Sequence, residues 1–398
     1  MLNIYKEKIL FLILFSIIFN YFLFFIGSGI FIKINFSLFI FFSIFYLIKY
    51  ENNKVLIIFI SIIILIALGT PSDSWDARSI WLFKAKQIFY DNSVFSVKHN
   101  YAQFSHPDYP NLAPAFVAGM VKTLGYWNEV YPKTGFSLLF LPPLIIISNF
   151  FSKNFFLITI VFVLFAIGRF LFNGEMDGLV SVYFVTSALL IYNYNKKIRL
   201  SIIEVLTLIS ILVIFTMLKL ESLFLILSFV FSIILINISE KKINKKILLY
   251  LFISLIPIIL WHIFCIYFKI HNIYSDPTSQ ILQGELTGFA YNITDFSKRF
   301  TSISNYILIG KYLLINEKLI IALTFFFISS FIRNNKKIVK IVIFTISIYL
   351  IILFTTYMST PIVLEMQLSA SAYRVIKPVI LFLFIFGLYN LTKKSKFV

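Results

Sequence analysis

The side chains best equipped for chemistry fall in a few short stretches. Pro71-Ser-Asp-Ser-Trp-Asp-Ala-Arg-Ser-Ile-Trp-Leu-Phe-Lys-Ala-Lys86 holds Asp76 between two tryptophans, followed by Arg78 and Lys84. A carboxylate here is a candidate general base, which must come within about 3 Å of the proton it takes. It is equally a first-turn acid favouring a helix dipole, and Asp73 is the competing base. His106-Pro-Asp-Tyr-Pro-Asn-Leu-Ala-Pro114 opens with two X-Pro bonds that make a stiff, extended turn. Its His106, Asp108 and Tyr109 either only build that turn or bond a polar substrate. One histidine and one aspartate make a poor metal site, and no metal or other cofactor is expected.

Two further stretches offer acids. Gly174-Glu-Met-Asp-Gly178 sets Glu175 and Asp177 one residue apart beside glycines. They are either solvated loop acids or carboxylates facing the same vestibule as Asp76. Lys219-Leu-Glu221 is an ion pair or a second pair of substrate contacts. Finally, the stretch Tyr357–Arg374 ends on an arginine in a chain with six arginines against 29 lysines. Arginine where lysine would satisfy a plain basic requirement points to a two-pronged grip on phosphate. The plain reading of Arg374 is a side chain snorkelling to the interface. Arg78 and Arg169 are weaker cases of the same argument.

The elements that position these residues are membrane helices. Of 398 residues 60% are apolar and 13% charged, with 49 Phe, too little polar surface for a soluble fold. A span takes roughly 20 apolar residues. Hydropathy places spans at 8–27, 34–49, 54–70, 136–151, 154–172, 178–194, 202–218, 222–237, 247–268, 318–332, 338–357 and 376–391. The stretch 304–316 is a half-span or a surface helix. The fold class expected is an all-α polytopic membrane protein of about 11–13 transmembrane helices in one membrane domain, 1–398. The loop 71–135 forms an external helical subdomain carrying the site.

The net charge of +18 would suggest nucleic acid in a soluble chain. Here the lysines sit in short loops, so they report orientation and no nucleic-acid partner is expected. Lys6, Lys8, Lys49, Lys54, Lys153, Lys196, Lys197, Arg199, the 241–246 lysines, the 333–340 basic loop and the 393–396 lysines all fall on one side. That side is read as cytoplasmic, with both termini there. Most of the acids fall on the other. The first helix is read as uncleaved, because it is span-length and lacks a small-residue cleavage site. The single Cys265 excludes an intramolecular disulfide. In the first external loop, Ser72 or Ser74 can cap a helix starting near Trp75. Trp81, Lys84, Ala85 and Ile88 share one face of it, an amphipathic helix suited to lie on the membrane surface.

Taken in order, these islands resemble the large GT-C superfamily of membrane glycosyltransferases, which includes protein O-mannosyltransferases and lipid A aminoarabinose transferases. The likeness is to a bacterial branch. Trp75-Asp76 with Trp81 and Lys84-Ala-Lys86 resembles its first-loop motif, and His106-Pro-Asp-Tyr-Pro110 its HPDYP turn. Lys219-Leu-Glu-Ser222 resembles a K-N-E-G tip with Leu and Ser in place of Asn and Gly. Ser369-Ala-Ser-Ala-Tyr-Arg374 resembles the closing S-x-x-R. Met366-Gln367 stand where the branch carries a Trp-His pair. The likeness runs from about residue 70 onward as short islands.

The resemblance implies an inverting glycosyltransferase that uses a polyprenyl-phosphate-linked sugar donor and membrane lipid surroundings. Its hydroxyl acceptor is an envelope glycan, lipid or protein, reached on the outer face of the bacterial cytoplasmic membrane. Asp76 would be the catalytic base. Arg374 would stabilise the leaving phosphate, with Lys84, Arg78 and Lys219 behind it, and the 71–135 helices would roof the cavity. The alternatives are an O-antigen-type polymerase or ligase, a glycan-export transporter, or a non-catalytic membrane protein. A polymerase would carry its long loop late in the chain, and a transporter would bury charges mid-span with repeat symmetry.

Overall fold

The computed structural model describes residues 2–51, 53–95, 105–197, 199–239, 245–270, 296–333, 335–359 and 363–392. Every regular element among them is helical. An apolar chain in a bilayer has no water for its peptide groups, and helices close those bonds within each segment. The chain opens with α1 (Leu2–Phe25), α2 (Gly29–Lys49) and α3 (Lys54–Gly69). A π-helical stretch, Ala77–Leu82, then runs into α4 (Phe83–Asp91), and α5 (Leu112–Leu124) and α6 (Thr134–Leu138) complete the first loop. The bundle continues with α7 (Leu141–Phe150), α8 (Lys153–Ile167), α9 (Met176–Tyr194), α10 (Ile202–Thr216), α11 (Leu220–Ser239) and α12 (Lys245–Tyr267). It closes with α13 (Phe296–Thr301), α14 (Ile303–Leu314), α15 (Glu317–Arg333), α16 (Lys336–Ser359), α17 (Leu364–Val375) and α18 (Lys377–Thr392).

Among the described residues nine stretches are long and apolar enough to cross a membrane, or ten if one bent pair counts as a span. The expected number was about 11–13. The difference lies in three expected spans. α3 and α10 have 16 and 15 residues, and α15 has 17 and meets α14 at 68°. α10 is cut short between firm boundaries. Ser201 and Glu204 form a capping box at its start, and the chain turns at Met217 so that Lys219 can reach its partners. α14 is the stretch expected as a half-span or surface helix. The lysines at 241–242 and 393–396 lie outside the described residues, as does most of the late loop, with Asp276, Glu285 and Asp295.

α9 and α18 are buried along nearly their whole length and form the axis of the bundle. α18 comes close to α15 at Gly387, where a Cβ would sit 2.9 Å from Phe325 Cε1. Small residues permit such approaches, because between membrane helices packing has to replace the hydrophobic effect. Ile48, Ile266 and Phe331 stay exposed on the perimeter, facing where lipid would be.

The first loop packs more deeply than a surface roof. Trp81, Lys84, Ala85 and Ile88 do share a face, but each is fully buried against protein and does not lie on a membrane surface. The apolar α5 packs on α1 and α2, where Asn20 Nδ2 donates to Ala115 O at 2.9 Å. At about 20 Å it is too short to span, so it reads from sequence as loop. The two ends of the loop are tied by Lys133, whose buried ammonium donates to Thr70 O and to Pro71 O.

Basic-loop residues converge at one end of the bundle, where Lys6 Nζ bonds Asn149 Oδ1 at 2.7 Å and Lys197 pairs with Glu204. Asp76, Asp177, Lys219 and Arg374 converge at the other. A labelling experiment checks the orientation. In a Cys265→Ser background, Tyr126→Cys should react with an impermeant thiol reagent from outside intact cells and Arg199→Cys should not. Both positions are exposed, whereas Glu175 is buried and would report poorly. The opposite labelling pattern would invert the topology.

Candidate active site

The tip between α8 and α9 is built by its own sequence. Asn173 accepts from Glu175 N at 3.0 Å and donates to Glu175 Oε1 at 2.9 Å, an Asx turn that fixes the acid. Gly174 follows at φ +88°, and a Cβ there would press on Ala77 Cβ at 3.2 Å. At Gly178 a Cβ would meet Phe170 O at 2.5 Å, so the start of α9 lies directly on the preceding turn. Gly178→Ala should therefore destabilise the protein by about 1–3 kcal/mol. Thermal unfolding checks this, and an unchanged transition would show that the contact relaxes freely.

This close packing sets Asp177 in the first turn of α9, where the helix dipole favours a carboxylate. Its Oδ1 lies 3.1 Å from Lys219 Nζ, between α10 and α11, and Lys219 also lies 3.1 Å from Glu221 Oε1. The Asp177 Oδ2 accepts from Arg374 Nε at 2.9 Å and lies 2.8 Å from its NH2. Arg374, in the last turn of α17, reaches on to Asp76 Oδ2, and Glu175 Oε2 is 3.8 Å away. Four carboxylates thus meet two cations. Burial pushes the Glu175 carboxyl up, opposed by the Ser74 hydroxyl and Arg374. The Asp177 and Glu221 charges outweigh burial at Lys219 and hold its ammonium protonated. Among the described residues no three His, Cys, Asp or Glu side chains are placed to hold a metal ion.

The ionic chain runs between two cavities. One, of about 420 Å³, is lined by Asp76, Arg374, Glu175, Arg169 and Tyr373. The other, of about 320 Å³, is lined mainly by aromatic and aliphatic groups, including Tyr109, Tyr349 and Tyr357. Glu221 and Gln367 also line it, and Glu221 Oε2 and Gln367 Oε1 are buried acceptors with no hydrogen-bond partner among the described residues. A buried acceptor left bare costs free energy that a hydroxyl or amide of a bound molecule would recover.

Asp76, Glu175, Asp177, Lys219, Glu221 and Arg374 are therefore brought together, and Tyr109 joins them at the second cavity. Four expected binding residues line neither cavity, although the charges of Asp76, Lys219 and Arg374 act on His106. Arg78 is exposed and turns to Asp73 O at 3.5 Å. Lys84 is fully buried and donates to Tyr109 O at 2.8 Å, so it braces the HPDYP turn. His106 stacks on Tyr109 with ring centroids 4.5 Å apart, and Asp108 O accepts from Trp261 Nε1 at 2.7 Å. Neither His106 nor Asp108 lines either cavity. The turn is a packed corner that aims Tyr109.

Comparison with protein-family models, curated proteins and solved structures finds no match. The chemistry has to be argued from the site itself.

Sequence reading named Gln367 only as a departure from the branch's Trp-His pair, and did not single out Asn173 or Lys377. The Asn-Gly-Glu order was a usable signal for the first. Lys377 is buried with its ammonium 3.4 Å from the Tyr373 ring centroid, and only the fold brings it there.

The packed corner has a pH signature. Burial lowers the Lys84 ammonium and raises the Asp108 carboxyl, while burial with the Lys84 charge pushes His106 down to about 4. Above neutral pH the unfolded chain holds a proton on Lys84 that the folded chain binds less tightly. Stability therefore rises with pH towards the ordinary lysine value of about 10.4. The unfolding temperature should climb from pH 7 to 9, and Lys84→Met should flatten that slope. A slope unchanged in the variant assigns it to another group.

Proposed function

We propose that this chain is an inverting glycosyltransferase moving a sugar from a polyprenyl-phosphate donor to a hydroxyl acceptor at the outer face of the bacterial cytoplasmic membrane. The observation that carries the reading is the contact of Asp76 with Arg374 in the wall of the 420 Å³ cavity. One group is a base and the other a phosphate partner, which is what transfer from a phosphate-linked sugar requires. Two bare acceptors beside tyrosine rings suit a sugar, which offers hydroxyl donors and apolar faces.

The contact also sets the order of events. With Asp76 held by Arg374, each occupies the atoms the other would offer to a substrate. A donor phosphate entering the cavity competes with Asp76 for the guanidinium, and Asp177 keeps Arg374 in place during the exchange. Released Asp76 takes the acceptor hydroxyl proton. The acceptor oxygen bonds to the anomeric carbon from the face opposite the phosphate. The carbon–oxygen bond to phosphate breaks, and the lipid phosphate leaves with the electron pair, stabilised by Arg374.

Protein in membranes supplied with a panel of radiolabelled polyprenyl-phosphate sugars tests this. Label should leave the lipid for another product with one member of the panel. Retention on every donor, in folded protein, would contradict the reading.

A further inference from the structure

A third cavity, of about 310 Å³, lies at the opposite end of the bundle, among the basic loops. Its size is at the low end of ligand pockets. Five helices converge on it. α1 supplies Lys6 and Glu7, α2 Tyr46, α7 Asn149, α9 Tyr194, and α10 Glu204. We propose that this cavity binds the headgroup of a zwitterionic phospholipid carrying a primary amine.

The charges around the cavity are held in place by their neighbours. Lys6 is held in place by Asn149 Oδ1, and its ammonium lies 5.7 Å from the Tyr46 ring centroid. Asn149 in turn donates to Tyr46 OH at 3.5 Å. Across the cavity Glu204 is fixed by the Ser201 capping box and by Lys197, which lies 5.4 Å from the Tyr194 ring centroid. These groups are ordered by one another. Glu7 is the exception, because it lines the cavity while its carboxylate makes no ion pair or hydrogen bond among the described residues.

Lys6 lines the cavity with Glu7 and Glu204, and Lys197 beside it pairs with Glu204, so these four charges sum to zero and leave Glu7 and Lys6 for a guest. An anionic headgroup would set its charge against Glu7 and Glu204, and a free amine would crowd Lys6 and Lys197. A guest with both charges satisfies each side, its ammonium on Glu7 and its phosphate toward Lys6. The amine has to be primary or nearly so, because a quaternary ammonium has no N–H to donate to the carboxylate. The inner wall is apolar, with Leu10 and Ile146, and suits the start of the acyl chains. The cavity sits where helices begin and end, the depth of lipid headgroups. The proposal does not depend on the transferase reading.

The test titrates delipidated protein in mixed micelles with phosphatidylethanolamine, phosphatidylcholine or phosphatidylglycerol of matched chains and follows the unfolding temperature. Phosphatidylethanolamine should stabilise at about tenfold lower concentration than either other lipid. Glu7→Gln should abolish that preference. The change is isosteric at a group with no hydrogen bond or ion pair among the described residues, so the lipid-free protein should still fold. Lys6→Gln should weaken the response to all three lipids. Equal response to phosphatidylglycerol would mean only a basic rim, and equal response to phosphatidylcholine no amine recognition. Either result, or a preference that survives in Glu7→Gln, overturns the proposal.

Discussion

Asp76→Asn should reduce turnover by about 10²–10⁴-fold, the range for a lost general base, while binding of the phosphate-bearing lipid stays intact or tightens. The two effects have one origin. The amide cannot take the acceptor proton, and it no longer competes as an anion for Arg374. The fold should survive, since Asp177 retains the guanidinium through Nε and NH2. Turnover and lipid binding measured on one purified sample separate the outcomes. Parallel loss of both would make Asp76 a structural partner of Arg374 and remove it as the base.

Arg374→Leu carries the largest expected cost in stability, about 3–5 kcal/mol, because it removes the counter-charge from a buried carboxylate. Asp177 is the critical one, since its side chain is only 6% exposed. Lys219 still pairs with it, so partial folding at low temperature is expected. Arg374→Lys should fold better but transfer poorly. A lysine can pair with one carboxylate, but it lacks the planar fork that now bonds Asp76 and Asp177 together. Full activity in the lysine variant would show that only charge is needed and that the exchange at the guanidinium is wrong.

The membrane fold was legible because apolar runs of span length have few alternatives, and each expected span is helical in the structure. That Asp76, Glu175, Asp177, Lys219, Glu221 and Arg374 meet at one end of the bundle, opposite the basic loops, was legible from loop lysines and span parity. Their mutual contacts were not, because Asp76 and Arg374 are 298 residues apart. Lys84 misled for a specific reason. The pattern of a helix face says which residues are covered, but not whether protein or lipid covers them. Lys84 looks like a surface cation and is instead a buried donor to a carbonyl. α5 escaped because 13 apolar residues in a loop are too few for a span, and only packing on α1 and α2 gives them a place.

The account's central claim is sugar transfer from a lipid phosphate through Asp76, and a paired assay in membranes tests it most directly. Wild type and Asp76→Asn, at matched levels of folded protein, are given radiolabelled polyprenyl-phosphate sugars. The account predicts that label leaves the lipid for a glycosylated product in the wild type and stays on the lipid in the variant. Equal transfer by both proteins, or by neither with every donor, would contradict it.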